Sequence, residues 1–165
     1  MTAATTARSV EHATFAVERV FAATPARVFA AWADPALKAR WFGPPEGWET
    51  SGVDLDFRVG GHERTSDGPP GGPVYAYHAV YHDIVPDQRI VYAYEMHQDA
   101  ARISVSLGTV EFAPEGDGCR LTYTEQGAYL DGLDTPDQRR EGTAGIFDAL
   151  AAVLERDRDG GGGGG

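Results

Sequence analysis

Hydrophobic and polar residues recur along this chain with two different periods, which predict a sheet followed by one long helix. Near the C-terminus the apolar residues follow the spacing of one helical face, and they are Ile146, Phe147, Leu150, Val153 and Leu154. Pro136 suits a first helical turn, and Thr135 or Asp134 can cap it, which predicts a helix over about 136–157. One face of this helix must therefore be buried by residues that precede it.

The preceding residues alternate between apolar and polar, as the strands of a half-buried sheet do. The segments predicted as strands are 13–21, 48–59, 62–65, 74–85, 89–97, 102–112 and 119–126. A change of apolar parity between Leu107 and Val110 predicts a bulge near Gly108. Thr24-Pro25 and Asp34-Pro35 begin two short helices after the first strand.

This order of elements predicts an α+β fold. A curved antiparallel sheet of about six to seven strands wraps around the long C-terminal helix. The length of 165 residues suits a single domain, predicted here over 13–158. Residues 1–12 are expected to form a polar N-terminal tail, and residues 159–165 a glycine-rich tail.

Composition excludes several classes of function. The net charge of −11 disfavours nucleic acid and anionic membrane surfaces as partners. The single cysteine, Cys119, allows no internal disulfide, and no signal peptide or membrane-spanning run is apparent, so a cytoplasmic protein is predicted. The sequence has no phosphate loop, dinucleotide fingerprint or serine-nucleophile motif, and no cofactor is predicted.

The alternation of inward and outward residues along the predicted strands identifies three candidates for acid–base chemistry. Glu125 follows Leu121 and Tyr123 on one side of its strand, and Glu95 and His97 share a side of theirs. A carboxylate beside a histidine in an apolar cup can exchange protons, because burial and the neighbouring group both shift its pKa. Residues at strand ends more often face solvent or make a local hydrogen bond, so no catalysis is predicted.

Other polar residues have simple interpretations. Arg19 lies on the apolar side of the first strand, so it either pairs with a carboxylate such as Glu125 or binds the polar head of a ligand. His62, His78 and His82 lack the spacing of metal ligands, and no metal site is predicted.

Aromatic residues are frequent in the predicted strands and helices and suit an apolar cavity wall with some hydroxyl groups. Trp32, Trp41 and Phe42 are expected to pack in the core and near a cavity entrance. The aromatic residues expected to contact a ligand are Trp41, Phe57, Tyr77, Tyr92, Tyr123 and Phe147, together with Arg19.

Several stretches resemble the SRPBCC or START-like (Bet v 1-like) superfamily, and within it the activator of Hsp90 ATPase homologue 1-like family. They are Glu18–Trp32, Asp34-Pro35 followed by Arg40-Trp41-Phe42-Gly43-Pro44, Asp56–Gly61, Ile84–Tyr92 and Gly118–Tyr123. The resemblance covers about residues 13–157 and implies the helix-grip fold. It also implies a hydrophobic cavity between the sheet and the long helix, in which members bind lipids, polyketides or other small apolar molecules. Many relatives have Gly-Trp early in this helix, whereas Gly142-Thr143 here implies a more open or more polar cavity mouth.

We therefore expect a small-molecule binding protein whose ligand is a lipid, an aromatic or a polyketide-like molecule. One alternative is a polyketide cyclase or dehydratase-like enzyme in which Glu95, His97 or Glu125 moves a proton. A second is a protein-interaction module similar to the Hsp90 activator, whose relatives carry an additional N-terminal domain. A homodimer is compatible with the resemblance.

Overall fold

The computed structural model describes residues 7–160 and confirms the α+β helix-grip architecture. In this part of the chain, eight strands form one antiparallel sheet in the order β1-β8-β7-β6-β5-β4-β2, with β3 paired to β4. Two short helices follow β1, and the long helix α3 ends the described chain. The predicted tail residues 1–6 and 161–165 lie outside the described residues.

The strands are β1 (Val10–Phe21), β2 (Glu49–Thr50), β3 (Asp54–Leu55), β4 (His62–Gly68), β5 (Tyr75–Val85), β6 (Arg89–Gln98), β7 (Ala101–Glu115) and β8 (Gly118–Leu130). The helices are α1 (Pro25–Ala33), α2 (Pro35–Lys38) and α3 (Pro136–Gly160). Strand β1 begins at Val10, within the segment predicted as a tail, because Val10 to Ala13 pair in register with the end of β8.

The prediction of one continuous strand over 48–59 is wrong. Only β2 and β3 form there, and Gly52 separates them with a φ of 79° that a strand does not allow. After β3 the chain turns tightly, with the Gly61 amide donating to the Arg58 carbonyl at 2.8 Å. Val59, which an alternating strand over 48–59 would bury together with Leu55 and Phe57, is 59% exposed as a result.

The predicted bulge near Gly108 is also absent from β7, whose pairing with β6 and β8 is continuous through that position. The inward residues are Ser104 and Ser106, whereas Val105 and Leu107 lie on the other face and are partly exposed. The alternation of apolar residues is therefore interrupted because serines occupy two inward positions of β7, and not because the strand has a bulge. The register shifts lie between Tyr81 and Asp83, and between Met96 and His97.

Helix α3 closes the open side of the sheet with its apolar face. Phe147, Leu150 and Val153 are at most 2% exposed. As predicted, Thr135 caps the helix, since its hydroxyl accepts from the Gln138 amide at 3.2 Å. None of the helices in the described chain is both long and apolar enough to cross a membrane.

Candidate functional site

A cavity of about 350 Å³ lies between the inner face of the sheet, α3 and the α1–α2 region. Its wall is mainly aromatic. The ten aromatic residues that line it are Trp32, Trp41, Phe42, Trp48, Tyr75, Tyr77, Tyr92, Tyr94, Tyr123 and Phe147. Every second residue of β5 and β6 points to the inner face of the sheet, because successive side chains of a strand lie on opposite faces, and these residues include the central tyrosines of the cavity wall.

The structure brings most of the predicted ligand contacts to this cavity. Trp41, Tyr77, Tyr92, Tyr123 and Phe147 all lie on its wall. Phe57 does not. It follows β3 and packs against two core rings, those of Phe29 and Tyr81, at centroid distances of 5.7 and 5.0 Å.

Arg19, also predicted as a ligand contact or a partner of Glu125, fills neither role. Its Nη2 lies 3.4 Å from Asp148 Oδ1, and about a third of its side chain is exposed. Arg19 lies on the inner parity of β1, but it is near the end of this edge strand, where the solvent side of α3 passes over it. Arg19 therefore connects the edge strand β1 to α3 through an ion pair.

Glu125 is completely buried behind the cavity wall and accepts five hydrogen bonds. The strand parity of β8 correctly predicted its inward orientation. Its donors are Tyr94, Tyr123 (2.6 Å), Tyr129 (3.2 Å), Ser106 (3.3 Å) and Arg139 (3.3 Å). A carboxylate with this many donors is well stabilised in a buried position.

Arg139 of α3 supplies the positive charge beside Glu125 and is itself almost fully engaged. It also donates to the Tyr94 hydroxyl at 2.8 Å, to Ser104 at 2.7 Å and to Asp134 at 2.6 Å. Burial alone lowers the pKa of Arg139, but Tyr94, Glu125 and Asp134 raise it overall. The guanidinium is therefore a permanent cation that the protein neutralises with two carboxylates.

Glu95 and His97, the other acid–base candidates, lie on the opposite face of the sheet. Residues 90, 92 and 94 of β6 point inward, which turns Glu95 outward. His97, two residues further along β6, lies on the same outward face, and its Nε2 is 3.5 Å from Glu95 Oε2. Neither residue meets Glu125 or lines the cavity.

A second buried charge pair lies under the other end of the aromatic wall. Lys38 Nζ is 2.5 Å from Glu63 Oε1, and the two side chains are 2% and 0% exposed. The Tyr81 hydroxyl donates to the same Glu63 oxygen at 2.7 Å. The lysine also lies over aromatic rings, with Nζ 4.8 Å from the Phe42 centroid.

Two polar atoms at the cavity are buried and have no hydrogen-bond partner among the described residues. These are Trp32 Nε1, a donor, and Asp67 Oδ1, an acceptor. Buried polar groups are nearly always paired in native proteins. Both residues line the cavity but both atoms are covered, so a bound molecule could use these unpaired groups after a small movement of the wall.

Sequence reasoning missed several polar residues of the site. Ser104 and Ser106 were hidden by the parity change in β7, which was itself the available signal. Arg139 was overlooked because it lies in the polar first turns of α3, and Asp67 because its strand β4 extends beyond the predicted 62–65.

Gly142 and Thr143 both line the cavity at the α3 side. A Cβ at Gly142 would have no atom within 4 Å, so this position opens onto free space. The Thr143 hydroxyl donates to the Arg139 carbonyl at 2.8 Å and is held within the helix.

Comparison with known proteins agrees with this architecture. The family described as "Activator of Hsp90 ATPase homolog 1-like protein" matches residues 22–155. A protein from Rhizobium leguminosarum is 46% identical, with a TM-score of 0.87 over 92% of this chain and 99% of that one. A Rhizobium loti protein is 49% identical, with a TM-score of 0.82 over 88% and 99%. No curated protein sequence matches the chain significantly.

A solution structure of an AHSA1-like protein from Aeromonas hydrophila shares the fold at 23% identity, with a TM-score of 0.68. It covers 87% of this chain and 93% of that one. The family match begins directly after β1 and spans the short helices, the other seven strands and most of α3. The chain therefore belongs to the activator of Hsp90 ATPase homolog 1-like family, within the Bet v 1-like (SRPBCC) superfamily.

Proposed function

We propose that this protein binds a small aromatic molecule, neutral or cationic, in the cavity between the sheet and α3. The observation that carries the proposal is the cavity of about 350 Å³ with its ten aromatic wall residues. Its volume lies within the range of about 300–1,000 Å³ typical of small-molecule sites. Aromatic walls favour flat ligands, because ring stacking adds to the burial of apolar surface.

The charges around the cavity disfavour an anionic ligand such as a fatty acid. Arg139 is the cation of the wall, and Glu125 and Asp134 already neutralise it. Asp67 adds a further carboxylate with a buried, unpaired oxygen. Carboxylates therefore outnumber the cation, and an incoming carboxylate would be repelled without gaining a free partner. A ligand cation would instead be attracted by Asp67 and by the aromatic faces.

Trp32 Nε1 and Asp67 Oδ1 offer a donor and an acceptor to polar groups of the ligand. They are the polar anchors of the proposed site. A ligand that uses both gains two buried hydrogen bonds that free protein lacks, each worth about 0.5–1.5 kcal/mol and more where a charge is involved.

Binding is better supported than polyketide cyclase or dehydratase-like catalysis. Glu125, the acid–base candidate nearest the cavity, accepts five hydrogen bonds and is covered by Tyr94 and Tyr123. A general base must reach its substrate directly or through one water. The open cavity likewise favours a binding role over an interaction module, whose interior would be filled by side chains.

The test uses three probes that share one ring system and differ in charge: 2-naphthalenemethanol, 2-naphthylmethylamine and 2-naphthoate. Their affinities are measured by tryptophan fluorescence and isothermal titration calorimetry. We expect the alcohol and the amine to bind, and the carboxylate to bind at least about tenfold more weakly, which is about 1.4 kcal/mol. Tighter binding of the carboxylate would contradict the charge argument.

Two glycines of α3 provide matched variants. Gly142→Trp places a large side chain in the cavity mouth without an initial clash, whereas Gly145 is exposed and lies outside the cavity. We expect Gly142→Trp to abolish probe binding and Gly145→Trp to leave it unchanged. Both variants should remain folded, because replacing a helical glycine raises helix propensity. Undiminished binding in Gly142→Trp would place the probes elsewhere.

A further inference from the structure

The outer face of the sheet carries a second candidate site, formed by His78 of β5 with Glu95 and His97 of β6. One ligand atom from each of these residues lies within 4.8 Å of the other two. We propose that these three side chains bind a divalent transition-metal ion of the zinc class. This site is independent of the cavity, since it lies on the other face of the same strands.

Strand pairing brings the three residues together. His78 and Glu95 are directly opposite in the β5–β6 register. Glu95 and His97 are two residues apart on one strand, which places them on the same face. The β5–β6 pairing is regular here, and the rings of His78 and His97 lie on neighbouring strands with their centroids 5.5 Å apart.

Distances between the ligand atoms are close to those of a metal site. Two ligands of a tetrahedral zinc ion, each at about 2.0–2.1 Å, lie about 3.4 Å apart. His97 Nε2 and Glu95 Oε2 are already 3.5 Å apart. His78 needs to approach by at most about 1.4 Å to complete the set, and its side chain is exposed and can change rotamer.

Arg102 fixes the carboxylate of this set. Its Nε lies 3.1 Å from Glu95 Oε1, the oxygen that does not face His97. Glu95 therefore presents its other oxygen towards the histidines, as carboxylates oriented by an outer-shell partner do in metal sites. The guanidinium of Arg102 also carries a positive charge, which would repel the bound metal ion.

The chemistry of the ligands selects the class of ion. Two imidazoles and one carboxylate suit Zn²⁺, Co²⁺, Ni²⁺ or Cu²⁺, whereas Ca²⁺ and Mg²⁺ prefer oxygen ligands only. Three protein ligands leave at least one coordination position for water or another small ligand. Glu95 and His97 are 37% and 21% exposed and His78 is exposed, so an ion can enter directly from solvent.

The test is isothermal titration calorimetry of the full chain, prepared without a polyhistidine tag, with zinc chloride in a non-chelating buffer. We expect one ion to bind per chain. His78→Ala and His97→Ala should each weaken binding at least about tenfold, because each removes one of three ligands. Glu95→Gln should weaken it as well, while calcium chloride should give no saturable heat.

His82→Ala is the matched control, because His82 is an exposed histidine of the same strand that is not part of the set. It should bind zinc as the parent does. The absorption spectrum of the Co²⁺-loaded protein gives a second readout, since tetrahedral cobalt absorbs far more strongly than hydrated cobalt. The proposal fails if the parent shows no saturable zinc binding, or if His78→Ala and His97→Ala bind zinc as tightly as the parent.

Discussion

Replacing Lys38 by Met should strongly destabilise this protein, because it leaves the carboxylate of Glu63 buried without its cation. The Lys38 Nζ to Glu63 Oε1 distance is 2.5 Å, and neither side chain is more than 2% exposed. Methionine keeps the apolar stem and its contacts with the rings of Trp32 and Phe42, so the change removes mainly the charge.

Breaking one partner of a buried ion pair costs about 3–5 kcal/mol. For a domain of this size, each kcal/mol lowers the melting temperature by about 2–4 °C, so a decrease of roughly 6–20 °C is expected. The double variant Lys38→Met/Glu63→Gln should recover most of the loss. Its glutamine oxygen can still accept from the Tyr81 hydroxyl, which donates to Glu63 at 2.7 Å in the parent, and no charge remains buried.

The assay is urea unfolding of the parent, the two single variants and the double variant, followed by circular dichroism at 25 °C. The double-mutant cycle isolates the coupling between the two residues, expected to be at least about 2 kcal/mol. A coupling below about 0.5 kcal/mol, or a Lys38→Met variant as stable as the parent, would refute the idea that the two charges depend on each other.

Three further predictions concern packing and pH. Gly108→Ala should lower the free energy of unfolding in urea by about 1–3 kcal/mol, because the added Cβ would lie 2.8 Å from the Tyr92 ring. The displaced ring should also weaken binding of the naphthyl probes. Unchanged stability would show that the Tyr92 ring moves aside without cost. Asp157→Asn should lower stability at pH 7, because the Arg40 guanidinium lowers the pKa of Asp157 in the folded state; the deficit should shrink once the pH falls below the unfolded pKa of about 3.9 and vanish when the folded carboxylate is protonated, so a deficit independent of pH would contradict it. Stability should be lost steeply above about pH 10, by up to about 8 kcal/mol per pH unit, since burial raises the folded-state pKa of six of the seven tyrosines above that of the unfolded chain; tyrosinate absorbance equivalent to more than one tyrosine before loss of the circular dichroism signal would contradict it. The six are Tyr77, Tyr81, Tyr92, Tyr94, Tyr123 and Tyr129.

Periodicity was sufficient to predict the fold because the sheet has one buried face and α3 one apolar face. The alternation in β8 even placed Glu125 inward correctly, at a position that is 0% exposed. It failed over 48–59, where Gly52 and the turn before Gly61 override an alternating pattern that resembles a strand. The backbone conformation at these glycines explains why the strand predicted over 48–59 does not form as one continuous strand.

The charge pairs of the interior could not be predicted from the sequence, since each joins residues on different elements. Lys38 and Glu63 belong to α2 and β4, and nothing in the spacing of either indicates the other. Arg139 lies in a polar stretch of α3 that is typical of a solvent-exposed turn, yet only 11% of its side chain is exposed. Glu95 and His97 share a face of β6 as their spacing predicted, but the sequence alone did not show that His78 of β5 lies opposite Glu95.

The buried carboxylates also explain how an aromatic cavity can be selective. Glu63 and Glu125 accept from the hydroxyls of Tyr81, Tyr94, Tyr123 and Tyr129, so these groups are held inside the protein rather than offered to a ligand. The sequence suggested a cavity wall with some free tyrosine hydroxyls, whereas Tyr94 and Tyr123, the two of these four tyrosines that line the cavity, have their hydroxyls engaged and present their rings. In the proposed binding site, recognition would depend on ring shape, on charge and on the two unpaired atoms of Trp32 and Asp67. A wall fixed in this way loses little conformational freedom on binding, and this favours affinity for a rigid, flat ligand over a flexible alkyl chain.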